Sequence, residues 1–380
     1  MFTESQKQWL RQINEQLPAY LRRLTSDAQV GRFLPCEKGA TALGKKLALG
    51  YSCFALKAYY MLGLWDALDE SKQKAWIRFI KSYQVRGQYA SDPATQNAFV
   101  DEPLILFHQP RFNLRQTVRQ FMKPQTIKPQ SKINMQRAVF AETKQALATL
   151  AEIDESPDLP YPGFMQTPEA LQAFLASLNW MKPWGAGGQA SAQVVFIKTQ
   201  GPTVVGKEQT RELLQVCDHW FESLADANTG LYFGGSDPPP YGQAINGAMK
   251  VLTALDWLET PIHYPKQLID ACLTELPSAA GCHLVDTVYV LYRCLQYTSY
   301  RRQDVESYCT EILDMIRKHH NADGGFSYSI GKSQTGYYGA RITKGVAESD
   351  IHGTILLTWA VAIILHIMKD NFLNWKVIRP

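Results

Sequence analysis

Apolar residues recur at three- and four-residue spacing along most of this chain, and alternating strand-like stretches are few. This spacing lines up apolar side chains on one face of a helix, so it predicts an all-α protein with loops rich in glycine and proline. Some segments are apolar on nearly every side, the pattern of a buried helix. There are six of these, beginning at Tyr51, Ala138, Gly187, Ala244, His283 and Asp350.

Amphipathic segments with one charged face lie between the apolar ones, and they cover residues 70–84, 167–181, 207–224 and 302–320. A helix with a single apolar stripe lies at the surface of a protein. The connecting loops place glycine beside an aromatic ring, as in "DGGFSYSIGK" at 323–332. The alternation predicts an (α/α)6 toroid, a double ring of inner and outer helices with glycine-aromatic loops, forming a single domain over residues 1–380.

In such a toroid the inner helices run in one direction, so their N-terminal ends surround the mouth of a central cavity. The partial positive charge at helix N-termini favours carboxylates and anions at that mouth. We therefore expect the polar residues of the first turns to meet in one pocket. They are Tyr51, Ser52, Cys53, Glu142, Gln189, Ser191, Asn246, Asp286, Asp350 and His352.

Composition narrows the function classes. Hydrophobic residues make up 46% and aromatic residues 11% of the chain, which suits a large core with an aromatic-lined interior. A net charge of +4 is too small to indicate nucleic acid as a partner. The seven cysteines include no CxxC pair and indicate reduced thiols. The N-terminus has no secretory apolar stretch, and the longest apolar run is shorter than the roughly 20 residues needed to span a bilayer, so we expect a cytoplasmic protein.

A basic segment at 110–137 interrupts this mild charge balance. Its basic residues stand at 111, 115, 119, 123, 128, 132 and 137, and no acid occurs between Glu102 and Glu142. The first four would form a stripe on a helix. A solvated face, an anionic partner or substrate, and contact with a membrane surface are the three interpretations that stay open.

Two segments near the end of the chain resemble a known family. "LVDTVYVLYRCL" resembles the "LVD-x-C-Y" helix of protein prenyltransferase β-subunits, and "KGVAESDIHGTILLTWAVAI" resembles their "PGK-x-x-D-x-x-H-T" helix. In that family the Asp and Cys of the first helix and the His of the second bind a catalytic zinc. The resemblance implies the toroid, shared with squalene-hopene-type terpene cyclases, and functional positions at Asp286, Tyr289 and His352.

The departures from the family pattern change the expected chemistry. The family's cysteine falls on Val288, and the basic residues that hold the prenyl diphosphate fall at about Ala280 and on His283. The DxDD and DDxxD motifs of terpene cyclases are missing from the sequence. Protein farnesylation is therefore not implied, and neither standard terpene mechanism is encoded.

Asp286, Asp350 and His352 are the candidate catalytic residues. In one interpretation either carboxylate holds the imidazole of His352 in one tautomer, which leaves the other ring nitrogen for general acid-base work. In a second interpretation Cys282, Asp286 and His352 bind a catalytic zinc, since Cys282 lies one helical turn before Asp286. In a third, Asp350 only caps its helix. No cofactor is favoured, and zinc is the one that stays open.

The candidate substrate-binding residues are Glu142, Gln189, Asn246, Tyr289, Tyr338 and Arg341. The last two lie in a long loop at 324–350, of the kind that forms lids and binding loops. The first hypothesis is an enzyme that acts on an isoprenoid or similarly apolar small molecule. The second is a lyase or hydrolase of an acidic glycan, because Asn246, Tyr338, Arg341 and His352 resemble the Asn/His/Tyr/Arg grouping of toroidal polysaccharide lyases. The third is a non-catalytic scaffold.

Overall fold

The computed structural model describes residues 2–25, 29–89, 92–108 and 130–380, and the side chains of 94 and 130–133 are not described. Most of the predicted basic segment, residues 109–129, lies outside the described residues. The described chain forms thirteen α-helices. They are α1 (Glu4–Arg23), α2 (Leu49–Met61), α3 (Glu70–Lys81), α4 (Glu102–His108), α5 (Gln130–Glu152), α6 (Pro168–Ser177), α7 (Pro183–Val204), α8 (Lys207–Leu224), α9 (Tyr241–Leu258), α10 (Pro265–Cys272), α11 (Gly281–Leu295), α12 (Arg302–Arg317) and α13 (Ile351–Ile367).

The remaining regular structure is small. A 3-10 turn spans Pro93–Thr95, and strands β1 (Gly336–Tyr337) and β2 (Ala340–Arg341) form one antiparallel hairpin. The prediction of an all-α protein is therefore confirmed. A helix is also present at each of the six predicted apolar segments, namely α2, α5, α7, α9, α11 and α13.

Helix starts follow local capping rules. The Thr3 hydroxyl and the Gln6 side chain form a reciprocal capping box at α1, and the carboxylate of Asp69 accepts the amide of Lys72 at α3. Proline occupies the first turn of α6, α7 and α10, where its missing N–H costs nothing. Because α2, α7, α9 and α11 begin without a side-chain cap, their first amides depend on other partners.

Buried surface separates two helix classes, as the apolar pattern predicts. Helices α2, α7 and α13 bury residues on almost every side, whereas α1, α3 and α8 bury one stripe. Burial on all sides requires neighbours on all sides. The first class therefore lies inside the molecule and the second outside.

The six apolar helices pack in a cyclic order. Helix α2 packs against α5, α5 against α7, α7 against α9, α9 against α11, α11 against α13, and α13 against α2. We call these helices the six-helix ring. Amphipathic helices pack on its outside, with α3 on α2, α8 on α7, α10 on α11, and α12 on both α11 and α13. Within the described residues, no helix combines the length and apolar character needed to cross a bilayer.

Candidate functional site

Asp350 fastens the start of α13 to the loop that precedes it. One carboxylate oxygen accepts the amide of Gly353 (2.7 Å), and the other accepts the amides of Tyr328 (2.8 Å) and Gln334 (3.0 Å). Burial raises the pKa of Asp350 to about 6, although these amides oppose the rise. The carboxylate is thus fully engaged with backbone, and the capping role weighed from the sequence is the one that the geometry supports.

His352 is held by a residue that the sequence did not suggest. Its Nδ1 lies 2.6 Å from Oε1 of Gln334, and its ring stacks between those of Phe54 (4.8 Å between centroids) and Tyr328 (5.5 Å). The direct pairing of His352 with Asp286 or Asp350 that we predicted is not formed. Asp350 instead acts on the imidazole indirectly, because it holds the backbone of Gln334.

The contact with Gln334 fixes the protonation of the imidazole. An amide oxygen only accepts hydrogen bonds, so Nδ1 of His352 carries the proton and Nε2 keeps its lone pair. Burial, with the positive charge of Lys250, lowers the pKa of His352 to about 4. His352 is therefore a neutral imidazole at pH 7, with a basic nitrogen that has no hydrogen-bond partner among the described residues.

Asp286 is the one predicted catalytic carboxylate with a free oxygen. Its side chain is 3% exposed, and its Oδ2 has no hydrogen-bond partner in the described part of the chain. Burial raises its pKa to about 6, while the charge of Lys250 works in the opposite direction. One turn earlier, the thiol of Cys282 lies close to the hydroxyl of Tyr328, and each affects the pKa of the other. An unsatisfied buried carboxyl costs stability, and such costs concentrate at functional sites.

Lys250 links these groups electrostatically. It lies on α9, yet its charge affects the pKa of Asp286 on α11 and of His352 on α13. Helix α11 stands between α9 and α13 in the packing order, so Lys250 influences one residue on the adjacent helix and one on the helix beyond it. The stem of Lys250 passes α7 at Gly187, where an added Cβ would lie 2.9 Å from the lysine Cβ. Sequence reasoning missed Lys250, although a lysine inside an apolar helix was a usable signal.

The hairpin of the 324–350 loop reaches the start of α2. The hydroxyl of Tyr337 donates to Oε1 of Glu142, and a Cβ added at Gly50 would lie 1.9 Å from that hydroxyl. Burial raises the pKa of Glu142 to about 8, with the charge of Asp101 adding to the rise. Glu142 is therefore largely protonated at neutral pH. Glu142, a predicted substrate-binding residue, thus contacts Tyr337 in the protein's own hairpin.

The hairpin tip carries two predicted binding residues. Tyr338 has a positive φ of 44°, stacks beside Tyr337 with 4.5 Å between ring centroids, and is 41% exposed. Its carbonyl oxygen lies 2.8 Å from Nε2 of His108. Arg341 is exposed and its Nε lies 3.4 Å from the carbonyl of Thr343. Both residues are exposed, and neither contacts His352.

Asn246 forms a second polar group at the starts of α9 and α11. Its amide nitrogen lies 3.1 Å from Nδ1 of His283, and the ring of Trp184 tilts against this histidine at 5.5 Å. Burial lowers the pKa of His283, which favours the neutral ring. Gln189 is exposed on α7 and donates to the carbonyl of Gly185. From the sequence alone, His283 stood out only because it occupies a position where the prenyltransferase family has a basic residue.

Tyr289 lies elsewhere than predicted. Its hydroxyl donates to Oδ2 of Asp256 (3.1 Å). The other carboxylate oxygen of Asp256 pairs with the guanidinium of Arg293. These residues line a cavity of about 370 Å³ together with Val377, Ile378 and Arg379. Tyr289 thus belongs to an ion-pair cluster, separate from the group around His352.

The remaining members of the converging set have packing roles. The hydroxyl of Ser52 accepts from Nε1 of Trp76 (2.8 Å), and that of Ser191 donates to the carbonyl of Gly188 (3.2 Å). Tyr51 is buried against the ring of Tyr337 at 5.7 Å. Cys53 is fully buried. The shared pocket expected for all ten residues stays a prediction for these positions, and Tyr51 does lie near Glu142, through the ring of Tyr337.

The zinc interpretation gains no support from the geometry. In the parts of the chain that the structure describes, no three His, Cys, Asp or Glu side chains converge closely enough to hold a metal ion. Cys282, Asp286 and His352 are therefore not gathered as a ligand set. The thiol of Cys282 also has its pKa raised to about 11 by burial, which opposes the thiolate that zinc requires.

Comparisons with known proteins bring no further assignment. The chain matches no protein-family model, and no curated protein or solved structure matches it. Its chemistry is therefore argued from its own residues.

Proposed function

We propose that this chain is a single-domain (α/α)6 toroid enzyme that performs acid-base chemistry on an isoprenoid or similarly apolar small molecule. The cyclic packing of the six apolar helices, with amphipathic helices outside, supports the toroid. The rings of Tyr161, Tyr232 and Phe326 lie in loops between helices and are fully buried. Their burial supports the predicted role of the glycine-aromatic loops, in which the ring fills the space beside the turn. Seven cysteines without a disulfide support a cytoplasmic enzyme.

The observation that carries the proposal is the unpartnered Oδ2 of Asp286, a buried atom on α11. With a pKa of about 6, part of the Asp286 carboxyl population is protonated just below neutral pH, and this protonated form can deliver its proton. His352 offers the complementary group, a neutral imidazole with a free Nε2. The charge of Lys250 acts on both residues, which supports assigning the acid and the base to one site.

The proposed reaction moves protons only. The carboxyl of Asp286 adds its proton to one carbon of an alkene, and Nε2 of His352 removes a proton from a neighbouring carbon of the resulting cation. A proton then returns from the imidazolium to the carboxylate through solvent, which restores both groups. The rings of Phe54 and Tyr328, which flank the imidazole, would stabilise the cation through their faces.

Deuterium incorporation tests this proposal directly. The purified chain is incubated in D2O with linear polyprenyl alcohols and hydrocarbons, and the products are analysed by mass spectrometry. We expect deuterium in an isomerised or cyclised product, and its loss in Asp286→Asn. Asp237→Asn, at an exposed carboxylate, is the matched control and should retain it. If folded wild-type protein gives no deuterated product with any of these substrates, the isoprenoid assignment is contradicted.

A carbohydrate-active toroid is the second candidate, favoured by one observation. The positive charge of Lys250, which acts on Asp286 and His352, suits an acidic glycan better than a hydrocarbon. Incubation with uronic-acid oligosaccharides would reveal cleavage as new reducing ends. In that case the basic segment 110–137 would bind the acidic glycan. If the substrate is an isoprenoid, the same segment would contact a membrane surface.

The scaffold hypothesis and the zinc hypothesis each require a different arrangement of the Asp286 side chain. A scaffold requires Asp286 to be fully engaged in capping, whereas its Oδ2 has no partner in the described structure. Zinc requires Cys282, Asp286 and His352 to gather around one ion. Metal analysis of the purified protein decides the latter, because stoichiometric zinc would replace the acid-base roles proposed here with a Lewis-acid role.

A further inference from the structure

The cavity of about 370 Å³ lies where α5, α9 and α11 end. Its volume is in the range of pockets that hold small molecules. It is lined by Glu152 of α5, Asp256 and Trp257 of α9, Arg293 of α11, and residues 377–379. None of the proposed catalytic residues lines it, so a ligand here would be independent of the proposed acid-base chemistry.

Residues 371–380 are fixed to the helical body beside this cavity. The ring of Trp375 is buried, and its Nε1 donates to Oδ1 of Asn14 (2.7 Å). The backbone amide of Arg379 donates to Oε2 of Glu152 (3.2 Å). These contacts hold the backbone of the segment, so the side chain of Arg379 extends from a fixed support.

The two acids of the cavity already have partners. Oδ1 of Asp256 pairs with the guanidinium of Arg293, and Oδ2 accepts a tyrosine hydroxyl (3.1 Å). Oε2 of Glu152 accepts the amide of Arg379, whose carbonyl oxygen accepts Nζ of Lys57 (3.4 Å). The charge of Lys57 also acts on Glu152. Each carboxylate is therefore matched by one cation, Asp256 by Arg293 and Glu152 by Lys57.

One cation and several hydrogen-bond donors remain without a counterpart. The guanidinium of Arg379 lies 5.0 Å from the ring centroid of Trp257, and its Nε lies 3.9 Å from Asp256, which is already paired. This guanidinium forms no hydrogen bond with any group that the structure describes, and its side chain is 37% exposed, so a ligand can reach it. The Nε of Arg293 likewise has no acceptor among the described groups.

We infer that this cavity binds a small organic monocarboxylate, whose two oxygens accept hydrogen bonds from the guanidinium of Arg379. The fork of N–H groups on a guanidinium matches a planar carboxylate in two parallel hydrogen bonds. A single negative charge balances the single unmatched cation, whereas a dianion would bring a second charge that no group offsets. The rings of Trp257 and Tyr292 line the cavity and provide an apolar surface for the body of the ligand.

A cation is the competing occupant, because the carbonyl ends of α5, α9 and α11 carry partial negative charge. Benzoate, benzyl alcohol and benzamidine share one aromatic body and differ in charge, so they separate the possibilities. The full chain is labelled with 15N-tryptophan, and the indole resonance of Trp257, assigned with Trp257→Phe, is followed by NMR during each titration. This indole N–H donates to the carbonyl of Pro380 beside the cavity (3.1 Å).

We expect benzoate to shift the Trp257 resonance saturably, with a Kd of about 1 mM or below. Benzyl alcohol and benzamidine should bind at least about tenfold more weakly, because neither supplies the negative charge that Arg379 lacks. Saturable binding of benzamidine that is tighter than that of benzoate would overturn the inference. The absence of a benzoate-dependent shift in folded wild-type protein would also overturn it.

Three variants locate the carboxylate. Arg379→Gln removes the charge and the fork, and should weaken benzoate binding at least about tenfold. Arg379→Lys keeps the charge without the fork and should give an intermediate affinity. Arg211→Gln removes the same charge at an exposed position on α8 and should bind benzoate as wild type does. Circular dichroism establishes that each variant is folded, and equal benzoate affinity in Arg379→Gln and wild type would remove Arg379 from the site and overturn the inference.

Discussion

The Oε1 atom of Gln334 lies 2.6 Å from Nδ1 of His352, and the backbone amide of the same glutamine donates to Asp350. One loop residue thus connects the helix cap to the imidazole. Since the amide oxygen accepts only, the contact selects the tautomer with its proton on Nδ1. The orientation of the proposed base therefore depends on the path of the loop as much as on α13.

Replacing Gln334 with glutamate should change the charge state of His352. A carboxylate beside Nδ1 stabilises the imidazolium, so the pKa of His352 should rise from about 4 by roughly one to three units. Titration of labelled histidine followed by NMR measures this shift. Gln303→Glu introduces the same charge at an exposed position on α12 and should leave the His352 titration unchanged. Equal His352 pKa values in wild type and Gln334→Glu would show that the contact is not formed in solution.

Replacing Gly50 with alanine should loosen the hairpin at the ring mouth. The new Cβ would lie 1.9 Å from the hydroxyl of Tyr337, so the hairpin must move and its contact with Glu142 must break. We expect trypsin to cleave after the exposed Arg341 about tenfold faster, which corresponds to about 1.4 kcal/mol of easier local opening.

Gly188→Ala provides the control for this experiment, because an added Cβ there meets no atom within 4 Å. Its cleavage rate should match that of the wild type. If Gly50→Ala is cleaved no faster, the hairpin is not held against α2 in the way described.

Replacing Arg293 with methionine should destabilise the far end of the ring. The guanidinium is 4% exposed and pairs with Asp256, so its removal leaves a partly buried carboxylate without its main partner. We expect the free energy of unfolding to fall by about 2 kcal/mol or more in urea denaturation. Arg211→Met, at an exposed position on α8, should change it by less than about 0.5 kcal/mol. A comparable loss in both variants would assign the effect to charge alone.

Helix positions were predictable because a buried helix has apolar residues on all its sides, a pattern that is visible in the local sequence. The segments that begin at Tyr51 and Asp350 are apolar on all sides, and both became helices whose surfaces are covered by neighbours. Helix α5 begins at Gln130, before the predicted start at Ala138, since its first turns are polar and carry no apolar signal.

The site was harder to predict for a physical reason. Asp286 and His352 were found because an acid and a histidine in apolar helices are conspicuous. Lys250 sits in the same kind of helix, but which way its side chain points depends on the crossing of α7 and α9 at Gly187. Gln334 lies in irregular loop whose path is set by amide contacts with Asp350, and no periodic pattern encodes such contacts.

Replacing Asp286 with asparagine should stabilise the fold while it removes the proposed acid. The pKa of Asp286 rises from 3.8 to about 6 on folding, so wild-type protein loses stability as pH increases through this interval. An asparagine does not titrate and escapes this loss. At pH 7.5 we therefore expect the variant to exceed wild type by about 2–3 kcal/mol in free energy of unfolding, the equivalent of the two-unit shift.

The pH dependence separates this effect from ordinary repacking. Below about pH 4 both side chains are neutral, and the difference between Asp286→Asn and wild type should vanish. Asp237→Asn, an exposed control with no change of environment on folding, should match wild type at every pH. Urea denaturation of the three proteins between pH 3 and pH 7.5 measures the whole curve. A variant less stable than wild type at pH 7.5 would mean that the Asp286 carboxylate has a stabilising partner in solution, and the proposed acid would lose its basis.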